Sequence, residues 1–258
     1  MTTFLFDSII FGPVWSRRLG ESLGVNLLPV NRKVCNFNCI YCECGLTPSG
    51  VPSSGFPSAS EVRDHLHDRL QKMKNNGDYL DSITFAGNGE PTLHPEFPRI
   101  MEDAAALRNA FYPKATLAVL SNATSIGNKR IFNALLKADL NILKLDSAVE
   151  ETLLAINCPN FTFRLEEILQ SMILFQGKMI IQTLFFRGTV NGTTIDNSTE
   201  SEVNAWLSVL DRLHPQYVML YSIARDTAVT GLEGISAKEL GSIAARVENI
   251  GIRTVVTP

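Results

Sequence analysis

The chain has 258 residues, of which 45% are hydrophobic and 19% charged, and its net charge is −3 from 23 basic and 26 acidic side chains. That balance is enough for a full core and excludes a disordered or low-complexity chain. It does not call for a polyanionic partner, so binding to nucleic acid is possible but not indicated by charge.

An apolar run opens the chain, but Asp7 interrupts it and no basic segment precedes it, so a signal peptide is not expected. No stretch approaches the length of a membrane span, and the expected location is cytoplasmic. Residues 1–23 are expected to be an N-terminal arm. "GVNLLPV" (24–30) reads as a strand leading into a cysteine-rich loop, and "GLTPSGVPSSGFPSAS" (45–60) as an exposed Pro/Gly/Ser loop. "SASE" (58–61) is a capping-box pattern, followed by Val62, Leu66, Leu70 and Met73 on one helical face and ended by Gly77.

Strands and helices then alternate. Strands are expected at 82–87, 115–121, 141–146, 179–186, 217–223 and 252–256. Between them lie helical patterns at 95–111, around Ile131 and Leu135, two pieces after 146, one opened by "TESE" (199–202) and one by "SAKE" (236–239). This is six β-then-α units and a trailing strand. Apolar strands flanked by helices form a parallel sheet buried on both faces. The expected fold is α/β: a partial (β/α)6 TIM-like barrel of parallel strands, a single domain over 1–258. Functional groups of such folds gather at the carboxyl ends of strands, and here the cysteines, "GNGEP", "SNAT" and "KLDS" all follow strands.

Four of the five cysteines fall between Cys35 and Cys44, too crowded for a scatter of disulfides. Cys35, Cys39 and Cys42 form C-x3-C-x2-C. Thiolates are soft ligands for iron–sulfur clusters or zinc. Three ligands would leave one iron of a four-iron cube open; all four cysteines, with Cys44, could instead close a zinc site in a non-catalytic module. Cys158 reads as a small packed residue. In "AGNGEPTLHP" (86–95), Gly87, Asn88, Gly89 and Glu90 form a turn stiffened by Pro91, in which glycines admit a close backbone approach and Glu90 offers a carboxylate. Ser121 and Asn122 end a strand and suit either a cofactor or the cap of the next helix. Lys144 and Asp146 are two apart and share a face, as an ion pair or as cofactor ligands. Gln182 and Tyr221 end later strands. His94 reads as a loop-packing residue, and His65, His67 and His214 as surface or helix-end residues. Arg17, Arg18, Arg32 and Lys33 read as solvated or ion-paired surface, and Arg225 could face a substrate.

The C-x3-C-x2-C spacing, with Tyr41 before its last cysteine, resembles the signature of the radical S-adenosylmethionine (SAM) superfamily. "GNGEP" resembles that family's Gly-Gly-Glu-Pro motif, with Asn88 in place of the first glycine, a change that tolerance of positive φ would make mild. The resemblance implies a [4Fe–4S] cluster on Cys35, Cys39 and Cys42. It implies SAM held near Tyr41, Gly87 to Glu90, Ser121, Asn122, Lys144, Asp146 and Gln182, and an electron donor such as flavodoxin or ferredoxin. Reductive cleavage of SAM would give a 5′-deoxyadenosyl radical that abstracts hydrogen from a substrate. "FGPVWSRRLGESLGVNLLPV", "GNGEPTLHP", "KLDSAVEETLLAINCP" and "QTLFFRGTVN" are further similar to iron–sulfur oxidoreductases related to wyosine synthetases. Residues 1–34 hold none of the upstream cysteines of the archaeal wyosine enzymes. A transfer-RNA base, a peptide and a small metabolite stay open as substrates.

Overall fold

The computed structural model describes residues 4–48 and 54–257. The chain forms two compact units. One, called here the N-terminal unit, comprises Leu5–Cys35 and Thr47–Ile142; the other, the C-terminal unit, comprises Met1–Phe4, Asn36–Leu46 and Leu143–Pro258.

The N-terminal unit opens on strands β1 (Ile10–Ser16) and β2 (Gly20–Val25), an antiparallel pair. It continues through α1 (Ala59–Asn76), β3 (Ser82–Phe85), α2 (Phe97–Phe111), β4 (Thr116–Ser121) and α3 (Lys129–Leu135). β2 pairs with β3 and β3 with β4, both in parallel. α1 starts on the expected capping box, Ser58 with Glu61, and stops at Gly77 in the left-handed region. Val62, Leu66, Leu70 and Met73 are all buried on its inner face. On β3, Ile83 and Phe85 point to the helices, and Phe85 meets Phe97 of α2 edge to face at 6.5 Å. Ser82 and Thr84 point the other way, where Thr84 bonds Ser22 of β2 at 2.8 Å.

β5 (Leu140–Lys144) crosses the division between the units. The C-terminal unit then holds α4 (Glu150–Asn157), α5 (Leu165–Ile173), β6 (Ile180–Val190), β7 (Thr193–Asp196) and α6 (Glu200–Leu213). It ends with β8 (Tyr217–Ser222), β9 (Leu232–Gly234), α7 (Ala237–Asn249) and β10 (Thr254–Thr257). β6, β8 and β10 are parallel neighbours, and β7 and β9 pair antiparallel with the outer half of β6. Phe185 of β6 packs edge to face on the buried Trp206 of α6 at 5.2 Å. Side chains at 182, 184 and 186 take the opposite face, as the two-residue period of a strand requires.

The six β-then-α steps and the trailing strand are all present, so the α/β expectation holds. Four details differ. Residues 1–23 are not merely an arm, because they hold β1 and most of β2; residues 1–3 lie outside the described residues. The strand expected at 24–30 ends at Val25. Leu27 and Leu28 are nonetheless fully buried, in a loop whose backbone is tied by Asn26: its amide donates to Leu28 O at 3.0 Å and its Oδ1 accepts from Leu28 N at 3.2 Å. The β6–β7 hairpin was not expected, although its turn, Asn191–Gly192 with φ of 50° and 79°, carries a hairpin sequence signal. Of the loop 45–60, residues 49–53 lie outside the described residues; 46, 48, 54 and 55 are exposed, whereas Gly45 is buried and α1 begins at Ala59.

Candidate active site

In the N-terminal unit the site is built around one glycine and one carboxylate. Gly89 has φ of 137°, and a Cβ there would lie 1.9 Å from Val34 O. That closeness lets Val34 bridge the turn: Val34 N donates to Asn88 O at 2.8 Å and Glu90 N to Val34 O at 3.1 Å. Cys35, the next residue, is thereby fixed beside the turn, and its carbonyl accepts from Thr47 Oγ1 at 3.1 Å. Gly87 packs on Asn26, whose Oδ1 would sit 2.3 Å from an added Cβ.

Glu90 is 2% exposed. Its Oε1 accepts from Thr92 N, Thr92 Oγ1 and Ser121 Oγ at 3.1, 2.6 and 2.8 Å, and its Oε2 accepts from Asn122 N at 2.6 Å. Burial pushes its carboxyl up, against the pull of those donors. Glu90 thus locks the end of β3 to the end of β4. Asn122 does not cap α3, whose cap is Asn128. Its Oδ1 accepts from Thr124 N at 3.1 Å and its amide donates to Cys35 Sγ at 3.8 Å. Asn88 has negative φ, so left-handed tolerance is not why asparagine stands there; the left-handed residue is Gly89. The Asn88 side chain pairs with the backbone of Phe6 at 2.8 and 2.9 Å and donates to Pro29 O at 2.9 Å. His94 is buried as expected: Nδ1 accepts from Glu96 N at 3.0 Å, so Nε2 carries the hydrogen given to Pro57 O at 2.7 Å. Burial holds it below the usual imidazole range. Lys33, expected on the surface, is 3% exposed.

In the C-terminal unit the cysteine loop is strapped to the end of α4. Asn38 N donates to Asn157 O at 2.9 Å, Ile40 N to Ile156 O at 3.0 Å and Asn160 N to Asn36 O at 3.0 Å. Cys42 N donates to Cys39 O at 3.0 Å. Asp146 has a fully buried side chain. Its Oδ2 accepts from Tyr41 OH and, at 2.8 Å, from the Asn157 amide. Its Oδ1 accepts from Leu184 N at 3.1 Å and lies 3.8 Å from Lys144 Nζ. Lys144 also donates to Tyr221 OH at 3.1 Å and sits 5.0 Å over the Tyr41 ring. Burial opposes its charge, but Asp146 and Tyr221 outweigh burial and keep it an ammonium. Burial, then Asp146, holds the Tyr41 phenol well above its usual range. Gln182 is buried on β6 opposite Met219 of β8, two residues before Leu184, which faces Tyr221. Arg225 is exposed and pairs with Glu43 at 2.8 Å. His214 caps α6 in the left-handed region, and His65 and His67 are exposed on α1. Cys158 is half-buried and ends α4 in the left-handed region, with its Sγ donating to Ala155 O at 3.3 Å.

Asn157 escaped the sequence reading. It is 1% exposed, and its amide also donates to Cys39 Sγ at 3.3 Å. The signal was its place on the buried stripe Leu153, Ile156, Asn157, where an amide at an apolar position demands a buried partner.

The donor set suits an iron–sulfur cluster. The thiols are soft, and two of them receive side-chain amide hydrogens of the kind that stabilise sulfur carrying charge. Among the described residues no three His, Cys, Asp or Glu side chains are gathered to hold a metal ion. A cluster makes no such demand, because each thiolate binds its own iron and the sulfurs need not meet at one point.

Comparison with known proteins agrees. The family model described as "Radical SAM superfamily" matches residues 33–204. A UPF0026 protein of Methanocaldococcus jannaschii is 34% identical over 182 residues, covering 69% of this chain and 54% of that protein. A UPF0026 protein of Synechocystis is 32% identical over 218 residues, covering 82% of this chain and 74% of that protein. The curated relatives are spanned to between 32% and 74% of their length, with the first two at 32% and 54%. Among solved structures, a radical SAM methyltransferase from Sphaerobacter thermophilus superposes with a TM-score of 0.67 at 15% identity, covering 92% of this chain and 65% of that one. That likeness is one of fold. No helix among the described residues is long and apolar enough to cross a membrane.

Proposed function

The chain belongs to the radical SAM superfamily; from that premise we propose that it is one of its enzymes and that Cys35, Cys39 and Cys42 ligate a [4Fe–4S] cluster with one iron left for SAM. When bound and reduced, the cluster would supply the electron for reductive cleavage of SAM to methionine and a 5′-deoxyadenosyl radical, the species that would take a hydrogen atom from substrate. The observation that carries the reading is the cysteine motif within the family match, with amide N–H groups on the Cys35 and Cys39 sulfurs.

The chain's own residues have distinct tasks. Gly87 to Glu90 form the turn that receives the ammonium of SAM, with Glu90 fixing its shape through Thr92, Ser121 and Asn122. Lys144 presents a permanent cation for the carboxylate of SAM. Tyr41 and Asp146 hold Lys144 in place, and Gln182 lines the same strand face as Leu184. Both units serve one catalytic domain, because the C-x3-C-x2-C motif and β5 each run across their division. The electron comes from a flavodoxin- or ferredoxin-like donor in the cytoplasm. The likeness to wyosine-related oxidoreductases makes a nucleic-acid base one candidate substrate beside a peptide or small metabolite.

Anaerobic reconstitution with iron and sulfide tests the proposal. A brown protein that forms 5′-deoxyadenosine from SAM under dithionite is expected, and Cys44→Ala should keep its iron while Cys39→Ala loses it. A colourless protein with one tightly held zinc, lost on Cys44→Ala and indifferent to SAM, would point to a closed four-cysteine zinc site instead.

A further inference from the structure

Asn157 joins groups that sequence spacing keeps far apart. Its amide nitrogen has two hydrogens. One goes to Asp146 Oδ2 at 2.8 Å; the other faces Cys39 Sγ at 3.3 Å, with Tyr41 OH at 3.4 Å beside it. The Asp146 bond is the shorter and is charge-assisted, so it fixes the orientation of the amide. Asp146 is itself immobilised by Tyr41, Lys144 and Leu184 N. The Asn157 carbonyl accepts from Asn38 N at 2.9 Å, so the same residue also positions the backbone before Cys39. With the side chain 1% exposed, the N–H···S bond is sheltered from water.

We infer that Asn157 is a positioning residue that sets the reduction potential of the cluster on Cys39 by donating a fixed hydrogen bond to its sulfur. The inference rests on the proposed function. Adding an electron increases the negative charge on the thiolate sulfurs, so an N–H donor favours the reduced state more than the oxidised one. Removing it should make the cluster harder to reduce. Asn122 makes a longer contact with Cys35 Sγ, 3.8 Å against 3.3 Å, so the Cys39 bond is the stronger of the two.

The experiment is a redox titration, followed by electron paramagnetic resonance, of anaerobically reconstituted wild type, Asn157→Leu and Asn157→Gln. Leucine keeps the volume and removes both hydrogens; glutamine keeps an amide donor. Asn157→Leu should lower the reduced-to-oxidised ratio at a given potential roughly tenfold, which for one electron is a shift of about 59 mV to more negative values. Asn157→Gln should recover at least half of that shift. If Asn157→Leu loads no iron while Asn157→Gln loads normally, the amide is a requirement for assembly rather than a setter of potential, and the inference is overturned. A loaded Asn157→Leu with the wild-type potential, or Asn157→Gln shifted as far as Asn157→Leu, would overturn the inference. A wild-type chain that assembles no iron–sulfur chromophore would instead overturn the proposed function.

Discussion

Replacing Glu90 by leucine asks whether one carboxylate holds the ends of β3 and β4 together. Its acceptors serve four donors: the backbone N–H groups of Thr92 and Asn122 and the hydroxyls of Thr92 and Ser121. Leucine has a similar volume, so it leaves little room for a substituting water. The hydroxyls can rotate toward other acceptors, but the two backbone N–H groups cannot. Each buried, unsatisfied N–H costs ~1–3 kcal/mol, so Glu90→Leu should lose roughly 4 kcal/mol. Glu90→Gln keeps one acceptor oxygen and strands one amide, for roughly 2 kcal/mol. Removing the buried charge returns part of its desolvation cost, so both figures are upper ones. In a chain of this size ~1 kcal/mol moves Tm by about 2–4 °C, which places Glu90→Leu about 8–16 °C below wild type and Glu90→Gln about half as far. Scanning calorimetry gives the ranking. Amide exchange gives the location: Thr92 and Asn122 should lose protection, while Leu184, bonded to Asp146, keeps it. A Glu90→Leu protein melting within about 2 °C of wild type, with the Asn122 amide still protected, would refute the reasoning.

Two further outcomes follow from the same geometry. Gly89→Ala combines a left-handed φ of 137° with a Cβ 1.9 Å from Val34 O, so the Val34–Gly89 bridge must open. A loss of roughly 3 kcal/mol or more is expected, read as soluble yield and melting temperature, and a wild-type melt would contradict it. The Ser236 cap and Arg187 hold the Glu239 carboxyl down to about 2, against an ordinary 4.5. A carboxyl depressed in this way stabilises the fold above pH 4.5 and loses that contribution as the pH falls toward 2. Glu239→Gln should therefore melt below wild type at neutral pH and level with it near pH 2, with the neutral-pH gap shrinking in high salt. A gap unchanged on acidification would count against the assignment.

Sequence legibility followed whether a residue's partner lay nearby in the chain. The capping boxes at Ser58–Glu61 and Ser236–Glu239 were readable because both partners sit within one turn. "TESE" looks the same, and Thr199 does cap α6, but Glu202 turns away to accept from Ser147 and Thr152, both at 2.6 Å. Nothing local announces that choice. "LLPV" has strand composition yet folds as a buried loop, because Asn26 supplies the hydrogen bonds a neighbouring strand would have given. The β1–β2 pair was hidden by Pro13 and by the charged turn Arg17–Arg18, which blur the alternation a strand needs. At the site, Lys144 and Asp146 were legible from spacing, and they do pair. The roles of Asn122 and Asn157 were not, since each is defined by a sulfur 87 or 118 positions away.

Those two asparagines show a common solution in separate units. In the N-terminal unit the buried Glu90 takes the Asn122 backbone N–H, and the Asn122 amide reaches Cys35 Sγ. In the C-terminal unit the buried Asp146 takes one hydrogen of the Asn157 amide, and the other reaches Cys39 Sγ. Each carboxylate has little accepting capacity left for a ligand, so its effect passes through the amide it orients. A lysine or arginine at either position would hold a thiolate more strongly than a neutral amide. It would also place a fixed positive charge where the proposed chemistry brings a sulfonium cation, and the two would repel. An amide stabilises charge on sulfur without that repulsion. Lys144, the cation beside Asp146, is held by Asp146 and Tyr221, and in the proposed function it serves the carboxylate end of SAM rather than the sulfur.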